Sequence, residues 1–150
     1  MRTYHETSFR RANRYVTYSC IYHIAWCTFR RYPLLTEPMR DRMKELIQTI
    51  CQEASATVFD VEIYPDWVYL NVEIDPLTGI SHLLGQIRRV GLGKLKTEFP
   101  GLGGKTGCVW TRNYFISTAE EKPEEAIRLW LERQPDAWNV PTEQKGDFTA

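Results

Sequence analysis

Between Glu37 and Ile74 the hydrophobic period changes once, and this change constrains the fold more than any other feature of the chain. From Glu37 to Ala54, Met39, Met43, Leu46, Ile47, Ile50, Cys51 and Ala54 recur at helical spacing and form one apolar stripe. Thr57 to Tyr64 and Trp67 to Ile74 then read as two strands, joined by Pro65-Asp66, a pair suited to a tight antiparallel turn. Strand side chains alternate between faces. Val68, Leu70, Val72 and Ile74 therefore share one side, and Trp67, Tyr69, Asn71 and Glu73 the other.

Similar patterns flank this unit. Upstream, Tyr15 to Thr28 contains Val16, Tyr18, Ile21, Tyr22, Ile24 and Trp26, the composition of a strand covered on both faces. Arg30, Arg31 and Pro33 end it in a basic loop. Downstream, Ile80 to about Phe99 predicts a second helix with Ile80, Leu83, Leu84, Ile87 and Leu95 on its apolar side. Arg88, Arg89, Lys94 and Lys96 decorate it, and Gly91 and Gly93 weaken its middle. After a loop with Gly101, Gly103, Gly104 and Gly107, Cys108 to Ser117 predicts a fourth strand. Pro123 to Gln134 predicts a third helix, stopped by Pro135.

The order β-α-β-β-α-β-α places the chain in the α+β class. Its first six elements are those of a ferredoxin-like, RRM-like sheet with helices on one face, and a C-terminal helix is added. The expected divisions are a basic arm over 1–14 with Arg2, Arg10, Arg11 and Arg14, a domain over 15–135, and a polar tail over 136–150 in which Trp138 is the one candidate for docking. This plan hosts many unrelated activities, so function has to be argued from particular residues.

Composition excludes several classes. Lys plus Arg and Asp plus Glu both number 19, so no global field draws nucleic acid, and any DNA binding needs a local basic patch. No apolar run approaches the ~20 residues of a membrane span. The charged N-terminus does not read as a secretory signal. Cys20, Cys27, Cys51 and Cys108 lack the close pairing of zinc or redox motifs and read as small hydrophobes in a reducing cytoplasm. The expected location is cytoplasmic, with no membrane partner.

Five stretches carry a family resemblance: Tyr22 to Arg31 (YHIAWCTFRR), Pro65 to Leu70 (PDWVYL), Lys96 to Pro100 (KTEFP), Val109 to Thr118 (VWTRNYFIST) and Ile127 to Gln134 (IRLWLERQ). In order and spacing they resemble the single-tyrosine HUH transposases of small insertion sequences and REP-associated elements, over roughly residues 15 to 135. In that family a His-hydrophobic-His triplet follows the Pro-Asp turn, and both imidazoles hold one divalent metal, magnesium or manganese, on the scissile phosphate. A tyrosine on the last helix attacks and becomes joined to a DNA 5′ phosphate. A glutamine four residues on completes the metal site.

This chain departs at the decisive positions. Trp67 and Tyr69 stand where the histidines are expected, Trp130 stands at the nucleophile, and Gln134 alone is retained. Indole has no ligating lone pair and no nucleophilic oxygen. A neutral phenol is a poor ligand for hard cations. The resemblance therefore implies a fold with no intact catalytic residues, no metal and no other cofactor. Two readings of Trp67 and Tyr69 stay open: a platform on which bases stack, or apolar filling of a former metal pocket. Trp130, Gln134, Ile127 and Leu131 fit a packing stripe.

Arg10, Arg11, Arg14, Arg30, Arg31, Arg88, Arg89, Lys94, Lys96 and Arg112 are the candidate DNA-binding residues, against the reading of an ordinary solvated surface. The function expected from these features is hairpin or single-stranded DNA binding by a homodimer, without strand cleavage. The alternatives are a dimeric protein-interaction module with no nucleic-acid role and, more weakly, an active transposase using displaced residues.

Overall fold

The computed structural model describes residues 11–12, 16–104 and 107–134. Strand β1 (Arg11–Ala12) pairs antiparallel with β2 (Thr17–Tyr18) in a small separate sheet. The main sheet contains β3 (Ile21–Thr28), β4 (Thr57–Ile63), β5 (Trp67–Glu73) and β6 (Trp110–Ser117). Its order is β4-β5-β3-β6, antiparallel throughout, which is the expected ferredoxin-like topology.

The helices divide between the two faces of this sheet. α1 (Glu37–Glu53) begins with Pro38 in its first turn, where a missing N–H costs nothing. Its buried residues Met43, Leu46, Ile47 and Ile50 meet Ile24 and Trp26 of β3 and Val68, Leu70 and Val72 of β5. α2 (Ile80–Gln86), α3 (Leu92–Glu98) and the turn between them complete this main core through Leu83, Leu84, Ile87 and Leu95. α4 (Glu124–Arg133) covers the opposite face, with Ile127 and Leu131 against Ala25, Cys27 and Tyr69. Acidic Glu124 and Glu125 in its first turn and Arg133 in its last complement the helix dipole.

Three expected elements differ in detail. The strand expected over Tyr15 to Thr28 is interrupted at Ser19 and Cys20, because its first part turns back to pair with Arg11–Ala12 rather than joining the main sheet. The single helix expected over Ile80 to Phe99 contains a π turn, Ile87–Gly91, between α2 and α3. Gly91 ends that turn against α1, where an added Cβ would lie 3.4 Å from both Ile50 Cδ1 and Met43 Cε. The glycine that weakens the helix locally thus lies at the contact with α1. The fourth strand begins at Trp110 rather than Cys108, after the loop has brought Val109 O to accept from Phe29 N at 2.7 Å.

The basic loop after β3 is a 3-10 turn, Phe29–Arg31, in which Arg30 and Arg31 have φ of 52° and 55°. Left-handed backbone disfavours side chains by about 1 kcal/mol or more per residue. Contacts to the neighbouring hairpin hold it. Thr28 Oγ1 donates to Tyr32 O and Asp66 O, and the Arg31 guanidinium grips Asp66 with Nε at 3.1 Å and Nη2 at 2.8 Å.

Candidate functional site

Register fixes what faces α4. Cys27 lies opposite Trp67, Ala25 opposite Tyr69 and His23 opposite Asn71, so these side chains share the sheet face that Trp67 and Tyr69 occupy. Phe115, opposite Ala25 on β6, joins them. Ile127 and Leu131 descend from α4 onto this layer, and Trp130 packs at its margin with its ring centroid 6.2 Å from that of Phe115.

Tyr69 is 1% exposed, and its hydroxyl lies 2.7 Å from His23 Nδ1. His23 Nε2 lies 2.9 Å from Ala119 O, an acceptor only. Nε2 therefore carries a proton, and Nδ1 shares the second hydrogen bond with the tyrosine hydroxyl. The imidazole is buried and engaged at both nitrogens. Nothing in the spacing of the sequence paired His23 with Tyr69; the strand register does.

The cation on this face is a lysine. Lys122 Nζ sits 4.2 Å from the centroid of the Tyr69 ring and 2.7 Å from Glu62 Oε2, on the strand beside Tyr69. Ring quadrupole and carboxylate both attract the ammonium. Burial alone would raise the Glu62 carboxyl, but the hydrogen bonds from Lys122 and from the Tyr64 hydroxyl hold it below its ordinary value. Neither Lys122 nor Glu62 stood out in the sequence, because their partnership spans sixty positions.

Trp67 divides the two readings left open by the sequence. It packs against the buried layer and stacks on Tyr64, with centroids 4.5 Å apart and planes 10° from parallel. Tyr64 is 37% exposed, so this pair forms one wall of a cleft of about 220 Å³ whose floor includes Ile127 and Leu131. Tyr69 is filling; Trp67 and Tyr64 present aromatic surface beside it.

Gln134 turns inward to its own helix. Its Nε2 donates to Trp130 O at 3.1 Å, and its Oε1 accepts from Asn113 Nδ2 at 3.5 Å. Among the described residues, no group of three or more His, Cys, Asp or Glu is placed to hold a metal ion. Burial pushes the Cys27 thiol up, and that of Cys51 up to about 12, so both behave as small hydrophobes.

A family model described as IS200-like transposase matches residues 16–134. The chain belongs to the IS200-like transposase family. A Deinococcus radiodurans R1 protein that carries a transposase assignment has the same fold, at 23% identity and a TM-score of 0.74, covering 85% of this chain and 99% of that one. A REP-associated tyrosine transposase solved with a REP hairpin bound is similar at 11% identity and a TM-score of 0.53, covering 79% of this chain and 67% of that one. No curated protein sequence matches. At such identities the structural likeness speaks for the fold alone.

Within this IS200-like fold the basic candidates do not form one groove. Arg10 and Arg14 lie outside the described residues, and Arg11 is in β1. Arg31 is engaged by Asp66 and also donates to Leu131 O at 3.1 Å, tying the basic turn to the end of α4. Arg30 lies over the Phe29 ring, with Cζ 4.9 Å from its centroid. Lys96 donates to Gly107 O, and Lys94 lines a separate hollow with Glu53 and His82. Arg88 and Arg89 do line one groove, and Arg88 donates through Nη2 to Thr111 O and through Nη1 to the backbone carbonyl of Arg112 at 3.3 Å, so that Arg112 stands on the adjoining strand. No helix of the described residues is long and apolar enough to cross a membrane.

Proposed function

We propose that this IS200-like family member binds hairpin or single-stranded DNA and does not cut it. The observation that carries the second half is the state of the β5 face. At the two positions where the family resemblance places metal-binding histidines stand an indole stacked on Tyr64 and a phenol hydrogen-bonded to His23. The Lys122 ammonium lies on the Tyr69 ring, where a divalent cation would meet like-charge repulsion. These groups do not fit a magnesium or manganese ion, and no cleavage step can be written through them. The aromatic bulk of Trp130 at the nucleophile position offers no oxygen for attack.

Binding is supported differently. The family acts on DNA, the REP-associated relative was solved with a hairpin, and Arg88, Arg89 and Arg112 gather at one edge of this chain's sheet. Phosphate contacts by such residues need neither metal nor the β5 face. A gel shift with structured single-stranded DNA, run with magnesium and with chelator, tests the reading. Equal retardation in both lanes is expected. Failure to retard any hairpin at low salt contradicts it.

A second reading, a dimeric interaction module, draws on β6. This strand is at the sheet edge and exposes Tyr114 by 41% and Ile116 by 39%. Light scattering on the wild type and on Ile116→Lys separates the two readings. Loss of a dimer with DNA affinity intact keeps both properties; a dimer with no DNA affinity leaves only the second.

A further inference from the structure

The π turn between α2 and α3 and the edge strand β6 enclose a groove of about 380 Å³, lined in part by Ser81, Arg88, Arg89, Trp110 and Tyr114. It lies on the sheet face opposite Tyr69. Tyr114 pairs with Trp26, which belongs to the core under α1 to α3, whereas the next residue, Phe115, points to the α4 layer.

Charge in this groove is unbalanced. Arg88 is half-buried, its guanidinium satisfies two backbone carbonyls, and its Nε–H is buried without an acceptor. Among the described residues no Asp or Glu pairs with Arg88, with the exposed Arg89, or with the exposed Arg112, and no carboxylate lines the groove. Trp110 is 3% exposed, and its indole N–H likewise lacks an acceptor. A cation taken out of water without a counter-charge is costly, so such an arrangement favours an incoming anion. Burial lowers the Arg88 pKa from its ordinary value, the direction expected of a desolvated cation short of compensation. The π turn is what carries Arg88 to the β6 carbonyls, and such turns recur at functional sites.

We propose that this groove seats one backbone phosphate of single-stranded DNA between Arg88 and Arg89, with the flanking base lying on the exposed ring of Tyr114. The proposal rests on the DNA-binding reading above and gives it a location. Arginine pairs offer forked donors that match phosphate oxygens, and an exposed tyrosine ring stacks any base. The seat would be separated from the β5 face by the thickness of the sheet, so filling that face would leave it untouched.

Two measurements on the full-length chain test it. In the first, inorganic phosphate is titrated against chloride at matched ionic strength while the Trp110 indole N–H is followed by NMR. A saturable phosphate-specific shift is expected in the wild type and its loss in Arg89→Ala, an exposed position whose replacement leaves packing intact. In the second, binding of a fluorescent thymidine oligomer is followed by anisotropy across salt. Arg89→Ala should weaken it roughly 3- to 10-fold and flatten the salt slope by about one. Arg88→Gln should do at least as much; because Arg88 also ties down β6, its result counts only beside an unchanged circular-dichroism melt. A silent Trp110 with oligomer binding unchanged in Arg89→Ala overturns the seat and leaves the DNA-binding reading standing. No oligomer or hairpin binding by the wild type overturns that reading, and the nucleic-acid occupant with it.

Discussion

On the α4 face of the sheet three sets of ionisable groups are matched among the described residues: Lys122 with Glu62, Arg31 with Asp66, and His23 with the Tyr69 hydroxyl and the Ala119 carbonyl. At the β6 edge, Arg88, Arg89 and Arg112 gather without a carboxylate among the described residues. The charges of the matched face thus answer one another, whereas the arginines of the unmatched edge have no carboxylate among the described residues. Within one IS200-like fold, the charged groups around the positions that resemblance assigns to chemistry are paired, and a region outside them gathers arginines with no carboxylate among the described residues.

The largest expected effect is on the matched face. Tyr69→Ala removes a ring that is 1% exposed and should lower unfolding stability by about 3–5 kcal/mol in urea titration, as aromatic-to-alanine changes in cores do. Tyr69→Phe keeps the ring and leaves His23 Nδ1 without its tyrosine partner, for a loss of roughly 1–3 kcal/mol. Equal losses in the two variants would mean that the hydrogen bond, and not the filling, is what Tyr69 contributes. Neither change should alter DNA affinity in molecules that remain folded.

The unmatched edge predicts the reverse pattern. Arg112→Ala should change stability by less than about 0.5 kcal/mol, as surface substitutions do, while reducing the salt dependence of DNA binding. A stability loss without a binding loss would assign Arg112 to the fold and erase the contrast between the regions.

The smallest effect concerns pH. The Glu62 carboxyl is held below its ordinary value of 4.5, so its contribution to stability is present above that value and is lost as pH falls through the lowered one. The ion pair is about one-third exposed, with side-chain values of 28% for Lys122 and 34% for Glu62, and should contribute less than about 1 kcal/mol. Lys122→Met should flatten the acid limb of stability against pH. An unchanged limb would show that Lys122 does not hold Glu62 in solution.

Much of the fold was legible in the sequence because period and punctuation are local. The α1 stripe, the Pro65-Asp66 turn and the alternation along β5 each appear where expected. The π turn was not legible: Gly91 signalled weakness in a helix, but neither the turn nor the packing of Gly91 on α1 can be read from local spacing. That Trp67 and Tyr69 share one face followed from strand alternation, and that Trp130 stands beside them was implied by the family resemblance. Their partners did not, because Lys122–Glu62, His23–Tyr69 and Arg31–Asp66 are set by register between distant segments. The same limit explains the basic residues. Ten side chains of like charge could line one groove as read from sequence, whereas in the fold Arg31 is an internal tie and, among the described residues, Arg88 and Arg89 line one groove beside the strand that holds Arg112.

The central claim, DNA bound and not cut, is tested most directly by intact-protein mass spectrometry after incubation with a single-stranded hairpin and manganese, at a concentration where a gel shift shows the complex. The account predicts an unmodified protein mass and full-length DNA. A protein heavier by an oligonucleotide, joined through any tyrosine, would contradict it.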